Sequence, residues 1–76
     1  MSRIVVDVRH LLCPLPVLRA EQRINSLTAG TLVEVICSDS GCLDDIPVWC
    51  RINGHQVLDI RTRQHTHTVL LEINAQ

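Results

Sequence analysis

The chain has 76 residues, of which 46% are hydrophobic and 20% charged, and its formal net charge at pH 7 is −1. This length predicts one domain over residues 1–76 with an aliphatic core, since there is one Trp and no Phe or Tyr. The charge and the absence of a basic run argue against direct nucleic-acid binding, and no apolar run approaches the ~20 residues of a membrane span, so we expect a cytoplasmic protein without membrane contact.

The chain begins with a predicted strand over residues 3–8, which is rich in valine and isoleucine. A helix is predicted from Pro14 to Leu27, because apolar residues recur there at helical spacing. These residues are Val17, Ala20, Ile24 and Leu27. Ala29 and Gly30 supply the stop signal. A second strand, over residues 31–37, is mostly apolar, which is typical of a central strand.

The second helix is predicted over residues 43–53, after a turn that contains Asp39. Pro47 is tolerated only in the first turn of a helix, so the helix should begin close to Asp44 or Asp45. Either of these carboxylates could cap the helix, and Asp39 could do so as well. The predicted apolar face carries Ile46, Trp49 and Cys50.

Two further strands, over residues 57–61 and 68–73, form a predicted hairpin. The element order is therefore βαβαββ. With short loops and right-handed crossovers, this order predicts an α/β (α+β) fold of two layers, in which two helices cover one face of a four-stranded mixed sheet. The opposite face of the sheet is uncovered in this prediction, unless a partner or a second copy packs on it.

A Cys-Pro-x-Pro motif lies between the first predicted strand and the first helix. Its residues are Cys13, Pro14, Leu15 and Pro16. Pro14 suits the first helical position, and Pro16 also falls where backbone amides lack an intrahelical partner. Cys13 then occupies the cap position, where Ser, Thr, Asp and Asn are preferred. A residue that is unfavourable for stability at such a position indicates a functional role.

The surroundings of Cys13 predict its chemistry. The positive end of a helix dipole lowers the pKa of a thiol, and Arg9 and protonated His10 could add positive potential. Pro16 stands where a Cys-x-x-Cys redox motif has its second thiol, so a modified sulfur on Cys13 would persist until a partner removes it. This favours a sulfur carrier over a dithiol oxidoreductase. The alternative is a non-catalytic regulatory or protein-interaction module with a structural Cys13.

The remaining cysteines and the histidines offer a zinc site as a weaker alternative. They are Cys37, Cys42, Cys50, His10, His55, His65 and His67. No Cys-x2-Cys pair occurs among them, so no metal or cofactor is predicted. His65 and His67 are interpreted as solvent-facing hairpin residues. Cys50 is interpreted as core, and Cys37 as a strand-end residue that could act as a resolving thiol under oxidation.

Asp39 is a candidate neighbour of Cys13, because the loops after two parallel strands open at the same edge of a sheet. Arg19 and Arg23 are spaced for one side of the first helix, as a solvated face or a docking patch.

Four blocks of the sequence together resemble the TusA/SirA sulfur-carrier family. They are Cys13-Pro14-Leu15-Pro16, Asp39, Asp45-Ile46-Pro47-Val48-Trp49-Cys50 and Gly54-His55-Gln56-Val57-Leu58. The resemblance implies a two-layer sandwich whose Cys13 accepts sulfane sulfur, holds it as a persulfide and passes it to an acceptor protein. The implied donor is a cysteine desulfurase or another sulfur donor. Members of the family feed tRNA thiolation, molybdenum-cofactor synthesis or sulfur oxidation.

Overall fold

The computed structural model describes residues 3–12 and 15–74. The elements are β1 (Arg3–Asp7), α1 (Leu15–Ile24), β2 (Leu32–Cys37), α2 (Cys42–Asn53), β3 (Gln56–Arg63) and β4 (Thr66–Glu72). This order confirms the predicted βαβαββ fold with its four-stranded mixed sheet and two helices. The strands and α2 begin and end within one or two residues of their predicted bounds.

The strand order in the sheet is β1-β2-β4-β3, with β1 and β2 parallel and the other two pairs antiparallel. In the parallel pair Arg3 lies opposite Leu32 and Asp7 lies opposite Ile36. The two strands therefore end at the same edge of the sheet. The loops that follow them, residues 8–12 and 38–41, begin side by side.

Alternate residues of the strands are buried beneath the helices, because successive side chains of a strand point to opposite faces. The buried strand residues include Val33, Val35, Cys37, Val69 and Leu71, each 0% exposed. The helices complete this core with Ala20, Ile24, Cys42, Ile46 and Cys50. The core is aliphatic, as the composition predicts, and it also contains the thiols of Cys37, Cys42 and Cys50.

The other face of the sheet carries half-exposed side chains and ion pairs. Arg3 Nη2 lies 2.7 Å from Glu34 Oε1, and Arg61 Nε lies 2.7 Å from Asp59 Oδ2. Pairs this exposed to solvent contribute ~0–1 kcal/mol each to stability. They keep this face of the sheet polar.

The start of α2 differs from its prediction. The helix begins at Cys42 with Gly41 as its cap residue, and no side chain caps it. The predicted capping by Asp44 or Asp45 is therefore wrong, since both lie within the first turn, where their charges still favour the helix dipole. Pro47 lies inside the helix, where it removes one intrahelical hydrogen bond.

The ends of the helices are closed by local hydrogen bonds. α1 ends at Ile24 rather than Leu27, because the Leu27 amide donates to the Ile24 carbonyl at 2.9 Å in a tight turn. α2 ends at Asn53, and its C-terminal cap residue is Gly54, whose φ of 81° is left-handed. The His55 amide then donates to the Cys50 carbonyl at 2.8 Å. This Schellman-type ending turns the chain back toward β3.

α1 has 10 residues and α2 has 12. Within residues 3–12 and 15–74, neither helix has the length and apolar character needed to cross a lipid bilayer.

Burial on α2 predicts a clear difference between two isoleucines of the same helix. Ile46 is 1% exposed and Ile52 is 76% exposed. We expect Ile46→Val to lower the free energy of unfolding by about 1 kcal/mol, since it removes a packed methylene. Ile52→Val should change it by less than about 0.5 kcal/mol. Urea denaturation followed by far-UV circular dichroism measures both, and equal losses would contradict the assigned helix face.

Candidate functional site

The candidate site lies at the sheet edge where β1 and β2 end. The Val8 amide donates to the Ile36 carbonyl at 2.7 Å, which extends the parallel pairing past β1. Beyond it, the Ser38 hydroxyl donates a hydrogen bond to the Arg9 carbonyl. These bonds join the loop after β1 to the loop after β2, as expected for the ends of neighbouring parallel strands.

Cys13 and Pro14 lie outside the described residues, so their predicted roles remain predictions. The other half of the motif begins α1. Pro16 is the second residue of α1 and is fully buried, whereas Leu15 is half exposed. The Leu15 amide donates to the Leu12 carbonyl at 2.9 Å, which ties the start of α1 to the preceding loop.

Arg9 forms a two-point ion pair with Asp7. Its Nε lies 3.0 Å from Asp7 Oδ1, and its Nη2 lies 2.7 Å from Asp7 Oδ2. The hydrogen bonds from Arg9, with a smaller effect from the charge of His10, lower the pKa of the Asp7 carboxyl. The positive charge of Arg9, which was predicted to act on Cys13, is therefore partly neutralised by the carboxylate of Asp7. Asp7 was not among the predicted site residues. The spacing of Asp7 and Arg9, two residues apart, was the signal that could have indicated their ion pair.

Asp39 shapes the loop between β2 and α2. Its Oδ1 accepts a hydrogen bond from the Gly41 amide at 2.9 Å, and its carbonyl accepts one from the Cys42 amide at 3.0 Å. Asp39 therefore forms the predicted turn, and its predicted role beside Cys13 stays a prediction. This bond pattern fixes the start of α2.

Cys37 and Cys42 are brought together at the same edge, which the sequence analysis did not predict. They are 0% and 1% exposed, and each thiol affects the pKa of the other. The Cys37 thiol also donates to the His67 carbonyl, at 3.7 Å. Burial raises the pKa of both thiols, and the negative charge of Asp39 raises them further.

Cys50 is a core residue, as predicted. It is 1% exposed, and burial raises its pKa to about 11. All three described cysteines are therefore neutral thiols at neutral pH, which makes them weak nucleophiles.

The prediction that His65 and His67 both face solvent is correct for His65 and wrong for His67. His65 is exposed in the turn before β4, but His67 is only 8% exposed. The two-residue alternation of β4 places His67 on the helix-covered face with Val69 and Leu71. Its Nδ1 lies 3.0 Å from Thr62 Oγ1. In the described part of the chain, no three His, Cys, Asp or Glu side chains come together as possible metal ligands.

Three exposed leucines lie within or close to the motif in the chain. Leu12, Leu15 and Leu18 are 73%, 50% and 48% exposed. Leu15 and Leu18 are three residues apart, so they share a side of α1. We call these three residues the leucine surface. The leucine surface was not predicted from helical periodicity, because that pattern detects the apolar residues on the buried side of the helix.

A family model described as "Sulfurtransferase TusA" matches residues 4–73 of this chain. The chain belongs to the TusA sulfurtransferase family. The match covers all six elements almost completely, and it confirms the resemblance found in the sequence.

Named relatives agree with this assignment. A sulfur carrier protein TusA of Pseudomonas putida is 41% identical over 54 residues, which cover 71% of this chain and 68% of the relative. A protein of Neisseria meningitidis, named as a candidate sulfur carrier, is 32% identical over 72 residues, which cover 95% of this chain and 97% of the relative. These names support a role in sulfur transfer for the TusA-family chain.

His55 packs against Trp49 at the far end of α2, with ring centroids 5.3 Å apart. Burial lowers the pKa of His55 below its ordinary 6.5, so the unfolded chain takes up a proton more readily than the folded protein. The stability that comes from neutral His55 is complete above pH 6.5 and is lost as the pH falls through the folded pKa.

We therefore expect His55→Gln to reduce the loss of stability between about pH 7.5 and about pH 5. Urea midpoints measured by circular dichroism at both pH values test this. His65→Gln is the matched control, since His65 lies exposed in the hairpin turn. A pH dependence that is unchanged in His55→Gln would contradict the assignment.

Proposed function

We propose that this TusA-family protein is a sulfur carrier in which Cys13 accepts sulfane sulfur as a persulfide and relays it to an acceptor protein. The observation that carries the proposal is the partition of the thiols. Cys37, Cys42 and Cys50 are at most 1% exposed. A partner cannot reach them without opening the core, which leaves Cys13 in its Cys-Pro-x-Pro motif as the thiol for exchange with partners.

The loading step needs no external oxidant. The Cys13 thiolate attacks the outer sulfur of a donor persulfide, the S–S bond of the donor breaks, and the donor thiolate leaves with the electron pair. The product is Cys13–S–SH. In the second step an acceptor nucleophile takes the outer sulfur, and the Cys13 thiolate is restored. The protein then acts as a sulfurtransferase that is regenerated in each cycle.

The proposed donor is the active-site persulfide of a cysteine desulfurase or of another sulfur donor, and the acceptor is a second protein. The acceptor serves tRNA thiolation, cofactor synthesis or sulfur oxidation. The carrier itself does not contact the nucleic acid, which agrees with its net charge of −1.

The residues that are predicted to lie near Cys13 act as positioning residues in this proposal. Pro16 anchors the start of α1, because it is fully buried. Arg9 is held by Asp7, and the Arg9 carbonyl is held by Ser38. Asp39 fixes the adjoining loop through the Gly41 amide. Together these contacts give the loop before Cys13 a fixed shape that a partner can recognise.

Persulfide formation gives the direct test. We expect the protein to gain the mass of one sulfur atom when it is incubated with a cysteine desulfurase and cysteine, and to lose this gain in Cys13→Ser. Intact-mass spectrometry followed by peptide mapping measures both. Cys50→Ala should keep the adduct, since Cys50 lies in the core. Absence of an adduct, or an adduct on Cys37 or Cys42, would overturn the proposal in favour of a non-catalytic interaction module.

The leucine surface predicts a separate effect on partner docking. Leu12→Asn should reduce the rate of sulfur transfer from a protein donor roughly tenfold, since an apolar contact worth ~1.4 kcal/mol is lost. Loading by a low-molecular-weight persulfide should be unchanged, because it needs no docking surface.

Ile52→Asn is the matched control for this docking effect. Ile52 is as exposed as Leu12, at 76% against 73%, but it lies near the C-terminal end of α2. Equal losses of transfer rate in both variants, or a loss with the small donor as well, would show that the leucine surface is not a docking site.

A further inference from the structure

We propose that Cys37 and Cys42 form a reversible intrachain disulfide when a low-molecular-weight disulfide such as oxidised glutathione reacts with the protein. The bond would join the end of β2 to the start of α2. It would make the loop between them, residues 38–41, a redox-sensitive element. The proposed sulfur-carrier function uses neither thiol, so this inference stands apart from it.

The geometry selects this pair among the described cysteines. Both residues belong to the same buried cluster, they flank the short loop of residues 38–41, and each thiol influences the pKa of the other. Cys50 lies on the buried face of the same helix as Cys42, but burial alone accounts for its raised pKa. Among the described cysteines, Cys37 and Cys42 are thus the pair placed to form a disulfide with each other.

The positions of the two residues also suit a cross-link. Cys37 is the last residue of β2 and Cys42 is the first of α2, so the bond would close a short loop between two rigid elements. The Cys42 amide already bonds the Asp39 carbonyl at 3.0 Å, and the Gly41 amide bonds Asp39 Oδ1 at 2.9 Å. These bonds hold the two chain segments in place before any cross-link forms.

The reaction proceeds in two exchange steps. One protein thiolate attacks oxidised glutathione, which forms a mixed disulfide and releases one glutathione. The second protein thiolate then attacks the protein sulfur of the mixed disulfide and releases the second glutathione. The two protein thiols lose two protons and two electrons, and the electrons reduce one glutathione disulfide to two thiols.

Burial of the two thiols limits the rate of disulfide formation but does not change which disulfide forms. Both thiols are at most 1% exposed, so oxidised glutathione reaches them only when the loop opens locally. We therefore expect oxidation to be faster in dilute urea, below the unfolding transition, and to be reversed by dithiothreitol.

The loop closed by the cross-link also contacts the segment before Cys13. Ser38 donates its hydroxyl hydrogen bond to the Arg9 carbonyl. A cross-link between Cys37 and Cys42 would restrict this loop and, through Ser38, residues 8–12. Oxidation would thereby act on residues 8–12, which precede the Cys-Pro-x-Pro motif in the chain.

The test uses the full chain with Cys13→Ser, so that its result does not depend on persulfide chemistry. After oxidation without denaturant and alkylation of free thiols, the mass should correspond to the loss of two hydrogen atoms, with one thiol alkylated. Cleavage by trypsin and by an Asp-specific protease separates the three remaining cysteines into residues 24–38, 39–43 and 45–51. We expect the first two peptides to be joined and the third to carry the alkyl group.

Two further variants keep this test decisive. Cys50→Ala in the same background should still form the cross-link, whereas Cys42→Ala should form none. Circular dichroism confirms that each variant is folded before oxidation. Alkylation of all three thiols, a glutathione adduct without a cross-link, or a cross-link to residues 45–51 would overturn the proposal.

Discussion

The parallel pairing of β1 with β2 is the constraint on which the rest of the structure depends. Parallel neighbours end at the same edge of a sheet, so the loop that leads to Cys13 and the loop that contains Asp39 start side by side. The hydrogen bond from Ser38 to the Arg9 carbonyl then joins these loops. Without this pairing, the loop after β1 and the loop after β2 would not be neighbours.

The alternation of buried and exposed residues along β2 and β4 decides which polar groups enter the core. Because side chains alternate strictly, a covered face takes every second residue whatever its chemistry. Cys37 and His67 lie opposite each other in the register of these strands and are both buried for this reason. Each finds a hydrogen-bond partner, as buried polar groups require.

The sequence predicts the order and type of the elements well, because apolar periodicity and turn residues mark each of them. It predicts the cap of α2 wrongly, since it offers the side chains of Asp39, Asp44 and Asp45, whereas Gly41 occupies the cap position and no side chain caps the helix. The closeness of Cys37 and Cys42 could not be predicted from the sequence for a related reason. It depends on how far the loop brings α2 back over the end of β2, which no local pattern encodes.

The burial of three thiols gives a physical basis for selectivity in a carrier with four cysteines. A thiol with a pKa of about 11, such as Cys50, is ionised to only about one part in ten thousand at pH 7. The pKa values of Cys37 and Cys42 are also raised, and burial keeps both thiols out of contact with large partners. A thiol at the start of a helix has the opposite tendency, because the helix dipole stabilises the thiolate. Burial in the core would then contribute to selectivity in this protein by suppressing the competing thiols, beside the activation of Cys13 that is proposed for the Cys-Pro-x-Pro motif.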